Sequence, residues 1–439
     1  MKWLIAILIF SLLILFHEFG HFLAAKLNGV RVLEFSMGFG PRLLSVEHGG
    51  TRYSLKALLF GGSCRMKGML AGYEEEGSGD SADDEDSFLH VSVGRRMAIV
   101  LAGPLFNFLL AFICAVIVIS VVGYDPAEIL YVAEGSAAEK AGLKTGDVIT
   151  SYNGEHVSIG RDVAAWEIFH DYSADRDIVM RVDRGGETHE VVFKPEEVTR
   201  YMMGITYTPS NEEPVVQEVQ AGSPLDGAGV RAGDLLTSID GTAIGSSEDI
   251  SDYFDAHPLS GEPVHLTLLR GEEPYEVTIE PAKREQLTLG FMYNLGRVRT
   301  SPAGVMKYSA IELAYWIKTT VRSVGALFTG RFSVNDLSGP VGIVDMVGET
   351  YEETKDEGPL MTWMNMLNLI ILLSANLGVM NLLPIPAIDG GRLLFLIIEG
   401  IRGKPLDEKL EMAAQTVAAL LLMLLMFYVL YHDIATILQ

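Results

Sequence analysis

Cysteine is nearly absent from this chain, and so is any surplus of positive charge. Its 439 residues include two cysteines, Cys64 and Cys114, with no C-x-x-C spacing. A disulfide framework and a thiolate metal site are therefore set aside. Lys and Arg number 33 against 57 Asp and Glu, a formal net charge of −24. Neutralising a phosphate backbone needs clustered cations, and no basic stripe or nucleic-acid motif is present, so nucleic acid is not an expected partner. A G-x-S-x-G nucleophile motif is also missing, which argues against serine-protease chemistry.

What the chain does have is apolar length: 49% of its residues are hydrophobic. Four stretches, residues 3–25, 97–122, 362–383 and 413–430, are long and apolar enough to cross a bilayer, which takes about 20 residues at helical rise. No small-x-small cleavage site follows the first run directly, so it reads as a retained helix rather than a signal peptide. Residues 26–96 carry nine Lys or Arg and residues 390–412 carry four, whereas the other flanks are poor in them. By the positive-inside rule both basic loops face the cytoplasm. That orientation puts the two termini, and the long stretch between the second and third spans, outside.

That stretch repeats itself. Gly135-Ser136 recurs as Gly222-Ser223, Ala141-Gly142 as Ala228-Gly229, Gly146-Asp147 as Gly233-Asp234 and Gly154 as Gly241, each 87 residues later. A strand leads into each Gly-Ser, a short helix ends near each Ala-Gly, and each Gly-Asp turn introduces another strand. The pattern resembles bacterial PDZ domains, which take up a peptide as an added strand. The candidate groove strands are Met203-Gly204-Ile205 and Leu289-Gly290-Phe291. The acidity concentrates here, since residues 124–300 hold 14 basic and 32 acidic side chains.

Three further segments frame the spans. Residues 302–332 read as one or two amphipathic helices with Val305, Tyr308, Ile311, Leu313 and Trp316 on the apolar side. They either lie on the membrane surface or pack on the repeat pair. Residues 32–69 alternate in polarity and are rich in glycine, the pattern of short β-hairpins. Residues 74–87 form an acidic tract, expected to be a solvated loop.

The chemistry concentrates within the first span, at His17-Glu18-Phe19-Gly20-His21. Imidazoles at i and i+4 project from one helix face within ~6 Å of rise, close enough to share one ion, and the intervening carboxylate suits a proton acceptor. Two His and a Glu in an apolar span are costly unless paired or metal-bound, which makes them a functional expectation. A catalytic zinc site needs a third protein ligand. Asp389, at the end of the third span, is the candidate at matching depth; its rival role is to cap the helix beginning near Arg392. Asn107, Asn376 and Asn381 lie in apolar segments and either hold a substrate backbone or bond across helices.

These motifs together resemble the site-2 protease family of intramembrane zinc metalloproteases. The resemblance rests on residues 17–21, Gly38-Phe39-Gly40-Pro41, residues 103–108, residues 337–343 and residues 381–391. It implies zinc bound by His17, His21 and Asp389, with Glu18 as the catalytic acid and base. Asn381 would contact the substrate backbone, with Asn107, Gly38, Phe39 and Gly40 as further substrate contacts. Family members usually have Leu where this chain has Ile388, a swap that keeps the ligand. The implied substrates are single-pass membrane proteins in the bilayer, such as an anti-sigma factor after a first cut, and leftover signal peptides, with the PDZ pair as a size filter.

The expected architecture is a multi-pass α-helical membrane protein of a bacterial inner membrane. It has four transmembrane helices, a membrane-associated β-hairpin region and two tandem extracytoplasmic PDZ domains of α+β type. The expected divisions are residues 1–123, 124–209, 210–296, 297–358 and 359–439. The competing expectation is a non-catalytic, zinc-stabilised membrane scaffold presenting PDZ domains.

Overall fold

The computed structural model describes residues 2–69, 84–207, 213–271 and 273–437. In chain order, helix α1 (Lys2–Leu27) leads into strands β1 (Val32–His48) and β2 (Thr51–Met66) and then α2 (Val93–Val122). There follow β3 (Ile129–Val132), α3 (Ala137–Lys140), β4 (Val148–Tyr152), β5 (Glu155–His156), α4 (Gly160–Phe169), β6 (Ile178–Arg184), β7 (Glu187–Phe193) and β8 (Glu196–Met202). Next come β9 (Ile205–Thr206), β10 (Glu218–Val219), α5 (Pro224–Gly227), β11 (Leu235–Ile239), β12 (Thr242–Ala243), α6 (Ser247–Ala256), β13 (Val264–Arg270), β14 (Glu273–Ile279), β15 (Ala282–Thr288) and β16 (Phe291–Tyr293). The chain closes with α7 (Pro302–Phe328), α8 (Pro340–Thr354), α9 (Pro359–Leu382), α10 (Asp389–Arg402) and α11 (Glu408–Ile437). It forms two compact units: residues 1–126 with 158–169 and 295–439, and residues 127–157 with 170–294.

Among the described residues four helices are long and apolar enough to cross a membrane, all in the first unit, over Trp3–Leu27, Val93–Val122, Pro359–Leu382 and Lys409–Ala435. Each is longer than the sequence expectation, because helical backbone continues past the purely apolar run. Small side chains let the helices approach: Ala6 of α1, Ala111 and Ala115 of α2 and Ala375 of α9 share a core with Leu13, Leu110, Val347 and Ile371. Between apolar helices such small residues permit the close van der Waals packing that drives association in lipid. Helix α7 packs on α2 and α9, and Thr320 on it donates to the amide oxygen of Asn376 in α9. Asn376 therefore bonds across helices, and α7 also meets α4 of the first repeat, where Tyr315 shares a core with Ile159 and Ala165. Its inner side is largely polar, with Ser309, Glu312 and Thr320 buried.

Buried Glu312 has a specific partner. Arg161, at the start of α4, bonds both Glu312 and Asp125, and its guanidinium lies over the Tyr315 ring at 5.1 Å. Two carboxylates so fully buried are costly unless paired and hydrogen-bonded, and one fork of N–H donors serves both. Helix α11 is joined differently. Buried Asp433 accepts from the backbone N–H groups of Gly339 (3.1 Å) and Gly342 (2.8 Å), satisfying donors that open α8.

Strands β1 and β2 each fold back on themselves. Residues 32–37 pair with residues 62–66 on one side and 52–55 on the other, while 42–48 pair with 51–56. The result is a four-stranded sheet in the order 61–66, 32–37, 52–55, 42–48, with 32–37 parallel to 52–55 and residues 61–66 along one edge. The reversals need left-handed backbone at Gly38 (φ 87) and Gly61 (φ 89), where a Cβ would strike Leu58 O at 2.4 Å and the Phe39 ring at 2.1 Å. Within this sheet Glu34 is only 4% exposed. Burial alone would raise its pKa, but hydrogen bonds from Arg42 (2.8 Å) and Ser54 (2.7 Å), with Lys56 nearby, hold it down to about 2. Of the acidic tract, residues 74–83 lie outside the described residues; Asp84 and Asp86 are not simply solvated, since both bind the buried Lys67 ammonium.

The second unit realises the repeat. Two four-stranded sheets have matching orders, β5-β4-β6-β7 and β12-β11-β13-β14. Ser136 and Ser223 each cap a short helix. Arg184 holds Asp147 as Arg270 holds Asp234. The connectivity, however, departs from two domains meeting at residue 209. Strand β9 pairs with β10, and Met203 and Ile205 pack in the core of the second copy. Strand β16, at the far end, pairs instead with β3 of the first copy. The second copy is thus nested inside the first, entered and left through the antiparallel ribbon β8–β15, in which Met202 faces Ala282. Each candidate groove strand keeps its place in a copy, but 203–205 belongs to the second and 289–291 to the first. Gly290 lies against Ser136 and Gly204 against Ser223 so closely that a Cβ would come within 2.6 Å and 2.1 Å of a serine Cβ.

Asp234 supplies a test of the second copy. Hydrogen bonds from Arg270 (2.8 Å) and Tyr275 (2.6 Å) outweigh its burial and lower its pKa to about 2. A depressed carboxylate stabilises the folded state above its unfolded pKa of about 3.9 and ceases to do so as pH falls through about 2. Asp234→Asn is expected to destabilise this copy by about 2 kcal/mol at pH 7. Amide exchange in β11, β13 and β14 should then accelerate by roughly 30-fold at pH 7, and the difference from the unsubstituted protein should shrink at pH 3. Equal exchange at pH 7 would contradict the role given to this ion pair.

Candidate metal centre

Helix α1 presents His17 and His21 on one face with ring centroids 4.8 Å apart, nearly perpendicular. Helix α2 runs beside it, and a stripe at four-residue spacing, Ile99, Gly103 and Asn107, meets the two rings. The Ile99 carbonyl accepts from His21 Nδ1–H at 2.9 Å. The Asn107 side-chain amide lies 3.1 Å from His17 Nδ1. Between them Gly103 leaves the necessary space: a Cβ there would fall 2.3 Å from His21 Nε2 and 2.8 Å from His17 Cε1. Sequence reading singled out the Gly103-to-Asn107 motif without a role for the glycine. Its four-residue offset from Asn107, matching His17 and His21, was the available signal.

Asp389 arrives from the other end of the chain. The cap of α10 is Ile388, and Asp389 is the first helical residue, so the capping role weighed above does not hold. Its Oδ2 lies 3.1 Å from His17 Nε2 and 3.3 Å from His21 Nε2. Two glycines allow the approach, since a Cβ on Gly390 would meet Leu383 O at 2.1 Å and one on Gly391 would meet Ile385 O at 2.2 Å. Helix α10 is tied to α2 by a two-pronged ion pair from Arg96 to Glu399, both largely buried.

The donor set fits a divalent cation. The two Nε2 atoms are 3.2 Å apart, so the three ligand atoms form a triangle with sides of 3.1, 3.2 and 3.3 Å. Lone pairs facing one another at that range repel unless protons or a cation lie between them. A tetrahedral zinc ion with bonds of about 2.1 Å separates its ligand atoms by about 3.4 Å. Three protein ligands leave one position open, the plan of a catalytic rather than a structural site.

Glu18, next to His17, is half-buried and makes no hydrogen bond or ion pair with another described residue. It lies against the edge strand: a Cβ on Gly62 would be 3.3 Å from Glu18 Cγ. Asn381 places its amide nitrogen 3.5 Å from His17 Nδ1. The other expected substrate contacts fare differently. Asn107 is fully buried, and its amide faces His17. Gly38 and Gly40 serve the reversal of β1, and half-exposed Phe39 packs over Gly61 at the end of the edge strand rather than at the His–Asp triad.

The model of peptidase family M50 matches residues 5–425. Zinc metalloprotease RasP of Geobacillus kaustophilus is 31% identical, covering 98% of this chain and 96% of its own length. RasP of Shouchella clausii is 30% identical over 98% of this chain and 97% of its own. A solved PDZ domain of HtrA3, bound to a phage-derived ligand, matches 21% of this chain at 22% identity with a TM-score of 0.17, a likeness too slight to bear on the fold.

The space at Gly103 is open to a direct test. Gly103→Ala is expected to displace the imidazoles and reduce zinc in the purified protein to well below one equivalent, measured by elemental analysis. Gly94→Ala, on the same helix with nothing within 4 Å of the added carbon, should keep its metal.

Proposed function

This chain belongs to peptidase family M50 and is a zinc metalloprotease, and we propose that it cleaves peptide bonds within membrane-spanning segments using the centre formed by His17, His21, Asp389 and Glu18. The observation that carries the reading is the ligand triangle, set in a helix of membrane-spanning length, with a carboxylate one residue away that pairs with no other described residue. The non-catalytic scaffold falls away with the family assignment.

His17, His21 and Asp389 would hold a zinc ion, which would supply the Lewis acidity that polarises a scissile carbonyl and acidifies a water. Glu18 takes the proton from the attacking water and returns it to the leaving nitrogen. A helical substrate hides its carbonyls in its own hydrogen bonds, which are hard to open in lipid. Residues 61–66 run beside Glu18 and pair on one side only among the described residues. An unwound substrate added to that edge recovers its backbone bonds next to the carboxylate. Asn381, at the rim of the His17 ring, supplies an amide to the substrate backbone.

The substrates we propose are single-pass membrane proteins of a bacterial inner membrane, an anti-sigma factor after a first cut and remnant signal peptides. In this reading both termini and the repeat pair lie outside the cytoplasm, and the repeats act as PDZ-type domains excluding substrates that still carry a bulky outer domain. The nested topology makes the filter separable. Replacing residues 203–281 by a two-residue turn between paired Met202 and Ala282 should allow cleavage of untrimmed substrates. Unaltered preference for trimmed ones would count against a filter.

The catalytic reading is tested by Glu18→Gln. Zinc content should stay at one equivalent while cleavage of a transmembrane reporter falls by roughly 10²–10⁴-fold. Retained cleavage would remove Glu18 from the mechanism.

A further inference from the structure

Asn107 carries an unresolved polar conflict. Its side chain is fully buried, and its Oδ1 has no hydrogen-bond partner among the described residues. Meanwhile its Nδ2 and that of Asn381 both point at one atom, His17 Nδ1, from 3.1 Å and 3.5 Å. A ring that gives its Nε2 lone pair to a metal carries its proton on Nδ1. Nδ1 is then a donor, and two N–H groups facing it are mismatched. Reversing the Asn107 carboxamide, whose two ends are nearly alike in size, turns the 3.1 Å contact into an N–H···O bond and moves the unpartnered end from the carbonyl oxygen to the amide nitrogen.

From this we infer that Asn107 Oδ1 accepts the Nδ1–H of His17, making Asn107 a positioning residue that fixes the tautomer and ring plane of the first ligand. The inference rests on the metal reading above. The second ligand is held in the same way, since His21 Nδ1–H donates to the Ile99 carbonyl. Helix α2 thus offers one carbonyl-type acceptor to each imidazole, eight residues apart, with Gly103 midway. A metal-ligating histidine commonly gives its second N–H to such an acceptor, which orients the ring and raises its basicity. The two asparagines then divide their work: Asn107 serves the ligand, and Asn381, the outer amide, keeps its N–H for the substrate.

Zinc affinity measured by chelator competition on the full-length protein in detergent tests this without reference to cleavage. Asn107→Leu, which keeps the volume and loses the acceptor, should bind zinc about 10- to 100-fold more weakly. Asn107→Asp, which keeps an acceptor and loses the donor, should stay within about 3-fold of the unsubstituted protein. Asn381→Leu should also stay within about 3-fold while raising KM for a reporter substrate. If Asn107→Leu does not fold, Asn107→Ala replaces it with the same expected loss. Unchanged affinity in the acceptor-free variant, or an equal loss in Asn107→Asp, overturns the inference, provided that His17→Ala loses zinc. Unchanged affinity in His17→Ala overturns the metal reading and this inference with it.

Discussion

Two imidazole nitrogens and a carboxylate oxygen converge to within 3.3 Å of one another inside a bundle of apolar helices, and much of the first unit can be understood as the means of holding them there. Such groups cannot be buried bare, because desolvation and mutual repulsion oppose it. A shared cation reverses both effects, provided that the three donors are fixed before it binds. The surroundings meet that condition with small residues where helices must approach and with paired charges where they must not slide.

Small residues occur where a Cβ would intrude. Gly103 makes room for the rings, Gly20 lets α1 reach the Ala102 carbonyl, and Gly378 accepts the Phe108 ring. Paired charges act at longer range. Arg96 and Glu399 lock α10, and hence Asp389, to the helix that orients both histidines. Asp433 ties the last helix to the start of α8 with two backbone bonds. The β1–β2 sheet brings an edge strand to Glu18 without entering the triad, so the same small sheet can present a substrate backbone and leave the ligand geometry undisturbed.

The repeat pair follows a different logic. Its acidity is compatible with a solvated module, and its buried charges are local: Asp147 with Arg184, and Asp234 with Arg270. Nesting one copy within the other makes β8 and β15 the two strands of one ribbon, so the inner copy is attached by a paired stem. The outer copy is completed only when β16 returns to β3, which couples its folding to that of everything between.

Much of this was legible in the residues because it depends on local periodicity. Four apolar runs determine four long helices, an i, i+4 histidine pair determines a shared helix face, and an 87-residue recurrence determines two copies of one fold. Tertiary structure decided whatever depends on which distant backbone arrives alongside. Neither the ownership of residues 203–205 by the second copy nor the return of β16 to the first is encoded in the spacing of the repeat, because strand pairing is set by partners rather than by pattern. Asn107, Asn376 and Asn381 look alike as polar residues in apolar segments. Only packing separates them: one lies behind a ligand, one bridges to Thr320 and one sits at the rim of the His17 ring. Their roles differ because a buried amide takes its function from the group it faces, and that group is supplied by another helix.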